Sequence, residues 1–169
     1  ALFTLAVTAT RTRAQSTYTP YAFTNFAGLP GLSGTNDNSG SAARFDTPGS
    51  VAVDSAGYIY VADFLNHTIR KIAPAGIVTT LAGLGGTPGT NDGTGSAARF
   101  NGPATLDVDG NGNVYITDYF NHTIRQVTSA GVVTTLAGAA GLSGTNNSTG
   151  SAARFNNPIG VTVDSATNV

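Results

Sequence analysis

Apolar and polar residues alternate along this chain in short runs, not at helical spacing. Four such runs follow one another between Ser50 and Gly83: "SVAVD" (Ser50–Asp54), "YIYVAD" (Tyr58–Asp63), "TIRKIA" (Thr68–Ala73) and "IVTTLAG" (Ile77–Gly83). Each is rich in β-branched and aromatic residues, and the turn-forming stretches "SAG", "FLNH" and "PAG" separate them. This predicts four strands joined by tight turns, an antiparallel meander. The order returns downstream as "TLDVD", "NVYITD", "TIRQVT" and "VVTTLAG". No segment holds a helical period over a helix's length, so the fold class is all-β.

The loops repeat as faithfully as the strands. "GTNDNSGSAARF" ends at Phe45, "GTNDGTGSAARF" at Phe100 and "GTNNSTGSAARF" at Phe155, a period of 55 residues kept twice without a gap. A fixed period of this size marks a repeat architecture. One four-stranded sheet cannot close its own core, whereas copies stacked around an axis can, so the units are predicted to be blades of a β-propeller. Alternation places Val51, Val53, Ile59, Val61, Ile69, Ile72, Val78 and Leu81 in the core, with Leu106, Val108, Val114, Ile116, Ile124, Val127, Val133 and Leu136 in the next unit.

Tyr21–Gly28 aligns with a fourth strand and Ile159–Asp164 with a first, so ten strands, or two and a half blades, are expected. That is fewer than the roughly four to eight blades that close a ring. Joining copies end to end would leave a blade lacking its second and third strands. The expectation is therefore a truncated propeller over residues 16–169, completed by remaining blades of the same chain, and aggregation-prone in isolation because its end blades expose apolar surface.

Composition narrows the function classes. Charged residues make up 10% of the 169, and the net charge is −1; a typical soluble protein carries roughly 25% charged residues. Nucleic-acid and anionic-membrane partners thus lack an electrostatic basis. The absence of Cys removes disulfides, thiolate ligands and cysteine nucleophiles. The apolar run "ALFTLAVTA" is too short to span a bilayer. With "TRTRAQS" after it, residues 1–15 read as the remnant of a signal peptide, the alternative being a disordered arm. The first reading implies a secreted or cell-surface protein with no membrane insertion after signal removal.

The segment Pro48–Gly83 resembles an NHL repeat, the family named for an Asn-His-Leu signature before the third strand. Here the signature reads "NHT" at Asn66–Thr68 and Asn121–Thr123, a variant common in bacterial exported members. The resemblance implies a propeller, often six-bladed, used mainly for binding proteins, peptides or other ligands; the reading favoured here is a binding scaffold whose long polar loops contact a protein or glycan ligand. A minority of related propellers are metal-dependent enzymes, so the alternative is a lyase or hydrolase whose unique site lies in other blades.

The repeat decides how each motif is read. Asp63 and Asp118 stand four residues before His67 and His122, within reach of an acid/base dyad or a metal ligand pair. A catalytic site needs different groups converging on one point, whereas copies of one pair lie around a ring. Asp63, Asn66, His67, Asp118, Asn121 and His122 are therefore expected to clamp turns. "DVDGNGN" (Asp107–Asn113) imitates a calcium loop, but the aligned "AVDSAGY" lacks most of its oxygen ligands. Asp92, Asp107 and Asp109 remain only weak metal candidates, and no cofactor is expected. Arg44, Arg99 and Arg154 are expected to bond loop carbonyls or a neighbouring blade's Asp. Phe45, Phe100 and Phe155 are expected to plug the joints between blades. Finally, connections in such blades alternate between faces, so the long loops Gly83–Pro103 and Gly138–Pro158 should gather beside the Asn-His turns and form the binding face.

Overall fold

The computed structural model describes residues 24–169. The predicted signal remnant at 1–15, and the first residues of the predicted strand Tyr21–Gly28, lie outside the described residues. The eight strands expected between residues 48 and 138 all form: β2 (Pro48–Val53), β3 (Ile59–Asp63), β4 (Thr68–Ile72) and β5 (Ile77–Gly83) in one unit, and β7 (Pro103–Val108), β8 (Val114–Asp118), β9 (Thr123–Val127) and β10 (Val132–Ala137) in the next. All pairings are antiparallel, with Val61 opposite Arg70 and Ile116 opposite Arg125 in equivalent registers.

Each sheet has five strands, not the four expected. Two short strands, β1 (Asn38–Ser39) and β6 (Gly93–Thr94), add to the outer edges, giving the orders β1-β5-β4-β3-β2 and β6-β10-β9-β8-β7. Each extra strand belongs to the loop entering the blade, and each is followed by a single turn of 3-10 helix, Gly40–Ala42 and Gly95–Ala97. It covers an edge that would otherwise present unpaired backbone groups. The segments 24–28 and 159–164, expected as strands, carry no ladder in the described residues. The second runs beside β7, where Asp107 accepts bonds from Thr162 Oγ1 and Val163 N, both at 2.9 Å. At each end the sheet that would make those segments strands is not among the described residues.

The two sheets pack face to face. Tyr60, Ala62, Ile69 and Ala82 on one meet Leu106, Val114, Ile116, Val127 and Val133 on the other, with Ala98 and Phe100 sealing the joint. The inner strands are close: the Ser50 hydroxyl takes the amide of Leu106 at 3.3 Å, and the Ala104 carbonyl lies 2.7 Å from where a Gly49 Cβ would stand. Val51 and Val53 were expected in the core and are instead 63% and 60% exposed. They occupy the positions that Leu106 and Val108 occupy 55 residues on. Leu106 is buried because the first sheet covers it; nothing described covers Val51. Leu136 is exposed for the matching reason at the other end.

Candidate ligand-binding face

The turn between the third and fourth strands of each sheet is held by a buried ionic cluster. Asp63 accepts from Asp46 N at 2.7 Å, from Asn66 Nδ2 at 2.8 Å and from the Arg70 guanidinium at 2.8 Å. Arg70 uses its other terminal nitrogen for Asp37, at 2.7 Å, and for the Asn36 carbonyl. The second unit copies this atom for atom: Asp118 accepts from Asn101 N, Asn121 Nδ2 and Arg125, which also binds Asp92. Burial pushes both the Asp63 and Asp118 carboxyls up, while their amide, backbone and guanidinium donors pull them back down. The role of Arg70 and Arg125 is not among those expected from the sequence. The available signal was an arginine seven residues after each clamp Asp in both repeats.

Asn66 joins two loops through one residue. Its side-chain amide donates to the Gly34 carbonyl of the incoming loop at 2.6 Å, and its own carbonyl takes Gly86 N of the outgoing loop at 3.1 Å. Asn121 does the same with Gly89 at 2.7 Å and Gly141 at 3.3 Å. The long loops and the Asn-His turns thus share one face and are tied together there.

His67 and His122 have left-handed backbone, φ 57° and 58°. Neither imidazole bonds to the carboxylate four residues before it. Instead His67 Nδ1 accepts Gly102 N, and His122 Nδ1 accepts Asn157 N, both at 3.1 Å. A nitrogen that accepts carries no proton, so these are neutral rings spanning from one repeat to the next. Burial lowers the His67 pKa, against the opposing pull of the Asp118 charge.

Arg44, Arg99 and Arg154 turn back on their own loops: Arg44 donates to the Ser41 and Ala43 carbonyls, Arg99 to Ser96 and Ala98, Arg154 to Ser151 and Ala153. Phe100 is fully buried, and Phe45 and Phe100 lie 5.0 and 5.1 Å beneath the guanidinium groups of Arg70 and Arg125. Phe155 stands beside Gly138 as Phe100 stands beside Gly83. Among the three weak metal candidates, both carboxylate oxygens are engaged by protein donors. Asp92 holds Arg125 and Thr135. Asp107 holds Val108, Thr162 and Val163. Asp109 closes its turn through Asn111, Asn113 and Tyr115.

Three aromatic rings stand on the same face. Phe64 comes from the first turn, and Tyr119 and Phe120 from the second, with centroids 6.2 Å (Phe64–Tyr119), 5.8 Å (Phe64–Phe120) and 4.9 Å (Tyr119–Phe120) apart. A Cβ on Gly102 would meet the Phe120 ring at 2.7 Å and the Phe64 ring at 3.0 Å. Sequence reasoning did not single out these rings.

Antiparallel sheets stacked face to face at a 55-residue period, joined through their inner strands, define adjoining blades of a β-propeller. The chain carries two NHL repeats: the family model of the NHL repeat matches residues 45–72 and 100–127. The chloroplastic protein Suppressor of Quenching 1 of Arabidopsis thaliana is 36% identical over 95 residues, which span 56% of this chain and 9% of that protein. A crystal structure of an auxiliary nutrient binding protein from Bacteroides thetaiotaomicron is similar at TM-score 0.61 and 27% identity, covering 69% of this chain and 32% of that one. Another from Bacteroides ovatus is similar at TM-score 0.59 and 25% identity, covering 74% and 34%. This chain therefore spans about a third of the two structures and a small part of the plant protein.

Proposed function

We propose that this chain contributes blades to an extracytoplasmic binding propeller that takes its ligand on the face carrying the long inter-blade loops. The observation that carries the proposal is the double tie at Asn66 and Asn121. Each residue holds the loop before its blade and the loop after it, so loops that would otherwise wander are ordered before any ligand arrives. An ordered rim avoids the entropy of fixing loops on binding. The similarity to two proteins described as nutrient binding supports a binding role over a purely architectural one. The charge-poor surface of Gly, Ser, Thr and Asn supports a location outside the cytoplasm, and among the described residues no helix is long and apolar enough to cross a membrane.

The test compares the two faces in the full-length protein. Changing the exposed loop residues Leu84, Thr87 and Leu142 to glutamate should abolish its association with ligand-bearing cells or extracts. Three matching changes at Ser55, Asn111 and Ser129, on the opposite turns, should leave association intact. Equal behaviour of the two variants would overturn the assignment of the face.

A further inference from the structure

We propose that the joint between the two blades carries a second binding site, at the end away from the long loops, where Lys71 holds a small organic carboxylate. The joint is apolar through its middle, where Ala62 and Ile69 meet Leu106 and Ile116. Its character changes toward the turn between β2 and β3. Side chains two apart on a strand share a face, so Lys71 lies on the side of β4 that Ile69 turns to the second blade. Its ammonium stands 4.2 Å from the ring centroid of Tyr58 and 5.3 Å from that of Tyr60. A crevice of 210 Å³ opens there, with Asn111, Gly112 and Ser129 of the second unit forming its other wall. The two walls are close: the Tyr60 hydroxyl lies 3.5 Å from where a Gly112 Cβ would stand.

The crevice is built from residues that break the repeat. Lys71 stands where the second unit has Gln126, and Tyr58 where it has Asn113. In the second unit those positions close inward: Gln126 Nε2 donates to the Tyr115 hydroxyl at 3.1 Å, and Asn113 Nδ2 to Asp109 at 2.8 Å. In the first unit they do not. Asp54 is taken by the amides of Ala56 and Tyr58 and by the Tyr60 hydroxyl, and the ion pairs among the described residues belong to Arg70 and Arg125. A lysine ammonium has three donors to place, and an aromatic ring face accepts charge without replacing a hydrogen-bond acceptor. The Tyr58 and Ser129 hydroxyls and the Asn111 side-chain amide line the same crevice as further donors. A carboxylate supplies what this set lacks, since one oxygen takes a charge-assisted bond from Lys71 and the other takes a hydroxyl or amide donor. The space is below the roughly 300–1,000 Å³ of sites for larger ligands, which selects a small acid. Asp54 on the rim selects a single negative charge, because a dianion would meet a carboxylate of its own sign.

Calorimetric titration of the full-length protein with propionate and with D-galacturonate tests this, with propionamide and inorganic phosphate as comparisons. In parallel, peptide-level mass spectrometry follows the rate at which an amine-reactive reagent modifies Lys71. At least one acid is expected to bind saturably and, at ten times its Kd, to slow modification of Lys71 about ten-fold. Propionamide should do neither, and phosphate should bind about ten-fold more weakly or not at all. Lys71→Gln installs the residue that the second unit carries, and should weaken binding about ten-fold or more with the thermal midpoint little changed; Lys71→Arg, which keeps the charge, should retain most of it. If Lys71→Gln folds poorly, protection of wild-type Lys71 by the acid and not by the amide still decides. No binding of either acid, binding that leaves Lys71 equally reactive, binding indifferent to Lys71→Gln, or equal binding of phosphate would each overturn the proposal. The glutamate changes at Ser55, Asn111 and Ser129 should abolish carboxylate binding while association through the long-loop face persists, so the two sites fail separately.

Discussion

Arg125 is a guanidinium taken almost wholly out of water, and what balances its charge there is a pair of carboxylates of unequal burial. Asp118 is fully buried and Asp92 is 47% exposed at its side chain, so the two ion pairs should differ in worth. Removing Asp118 leaves a buried cation short of a partner and strips acceptors from Asn101 and Asn121. Asp118→Ala is expected to cost about 3–5 kcal/mol in a urea melt. Asp92→Ala loses a pair that water already screens, and is expected to cost about 1 kcal/mol. Similar losses for the two would mean that the buried carboxylate is not the anchor. His67 carries a separate expectation. Its folded pKa is lowered, so the unfolded chain takes up a proton first as pH falls. Stability contributed by the neutral ring is present above about pH 6.5 and is lost as pH drops through that value toward the folded pKa. A denaturation series from pH 7.5 to 5 should show this loss, and His67→Asn, which tolerates the left-handed backbone, should flatten it. These roles were only partly legible in the sequence. The Asp-Asn-His spacing pointed to a turn, but a spacing of four residues suggested that Asp meets His, whereas the imidazole reaches into the next repeat. Side-chain reach across a blade joint is not encoded in local spacing.

Among the elements, the entering loop and the strand pair it caps behave as one piece. Asp37 takes both the amide and the hydroxyl of Thr80 on β5, and Asp92 does so with Thr135 on β10. The loop is thereby pinned where its two-residue strand begins. Such strands could not be read beforehand: Asn38–Ser39 and Gly93–Thr94 are two residues long, each opens on a residue that disfavours strands, and both are ordered by their partners. The strands β2 to β5 and β7 to β10 were legible because period-two alternation and β-branched residues agreed with each other. The Gly102 position shows a finer constraint. Its φ is 69°, yet the equivalents Thr47 and Asn157 adopt φ 52° and 51° with side chains. Left-handed backbone alone therefore does not demand glycine there; the aromatic rings do. Gly102→Ala is expected to destabilise by about 1–3 kcal/mol through overpacking. Adding Phe120→Ala should recover a good part of that loss, a coupling readable from a double-mutant cycle. Additive losses would show that the rings and Gly102 are independent.

At the scale of the whole molecule, one face of the first sheet is a blade interface without a described partner. Val51 and Val53 lie on it with Ile59, Val61 and Ile72 behind them. The 169-residue chain in isolation is expected to self-associate, seen as a broad, concentration-dependent size distribution in light scattering. Val51→Thr with Val53→Thr should narrow that distribution at little cost to the melting midpoint, since both side chains are exposed. A monodisperse wild-type chain would remove the premise. Alternation correctly put these valines on an interface side of the strand. It could not tell whether a neighbour covers that side, because burial between blades is a property of the stack and not of the strand.

The contacts that tie each loop forward also bear on how such a chain changes in length over generations. Asp37 reaches Arg70 and Asp92 reaches Arg125; His67 reaches Gly102 and His122 reaches Asn157; every span is the same in both copies. A deletion of residues 46–100 would join Phe45 to Asn101 and hand Asp37 to Arg125 with each distance along the sequence preserved. Inserting one period would do the reverse. Recombination between the near-identical loop stretches ending at Phe45, Phe100 and Phe155 would therefore add or remove a blade without leaving a mismatched joint.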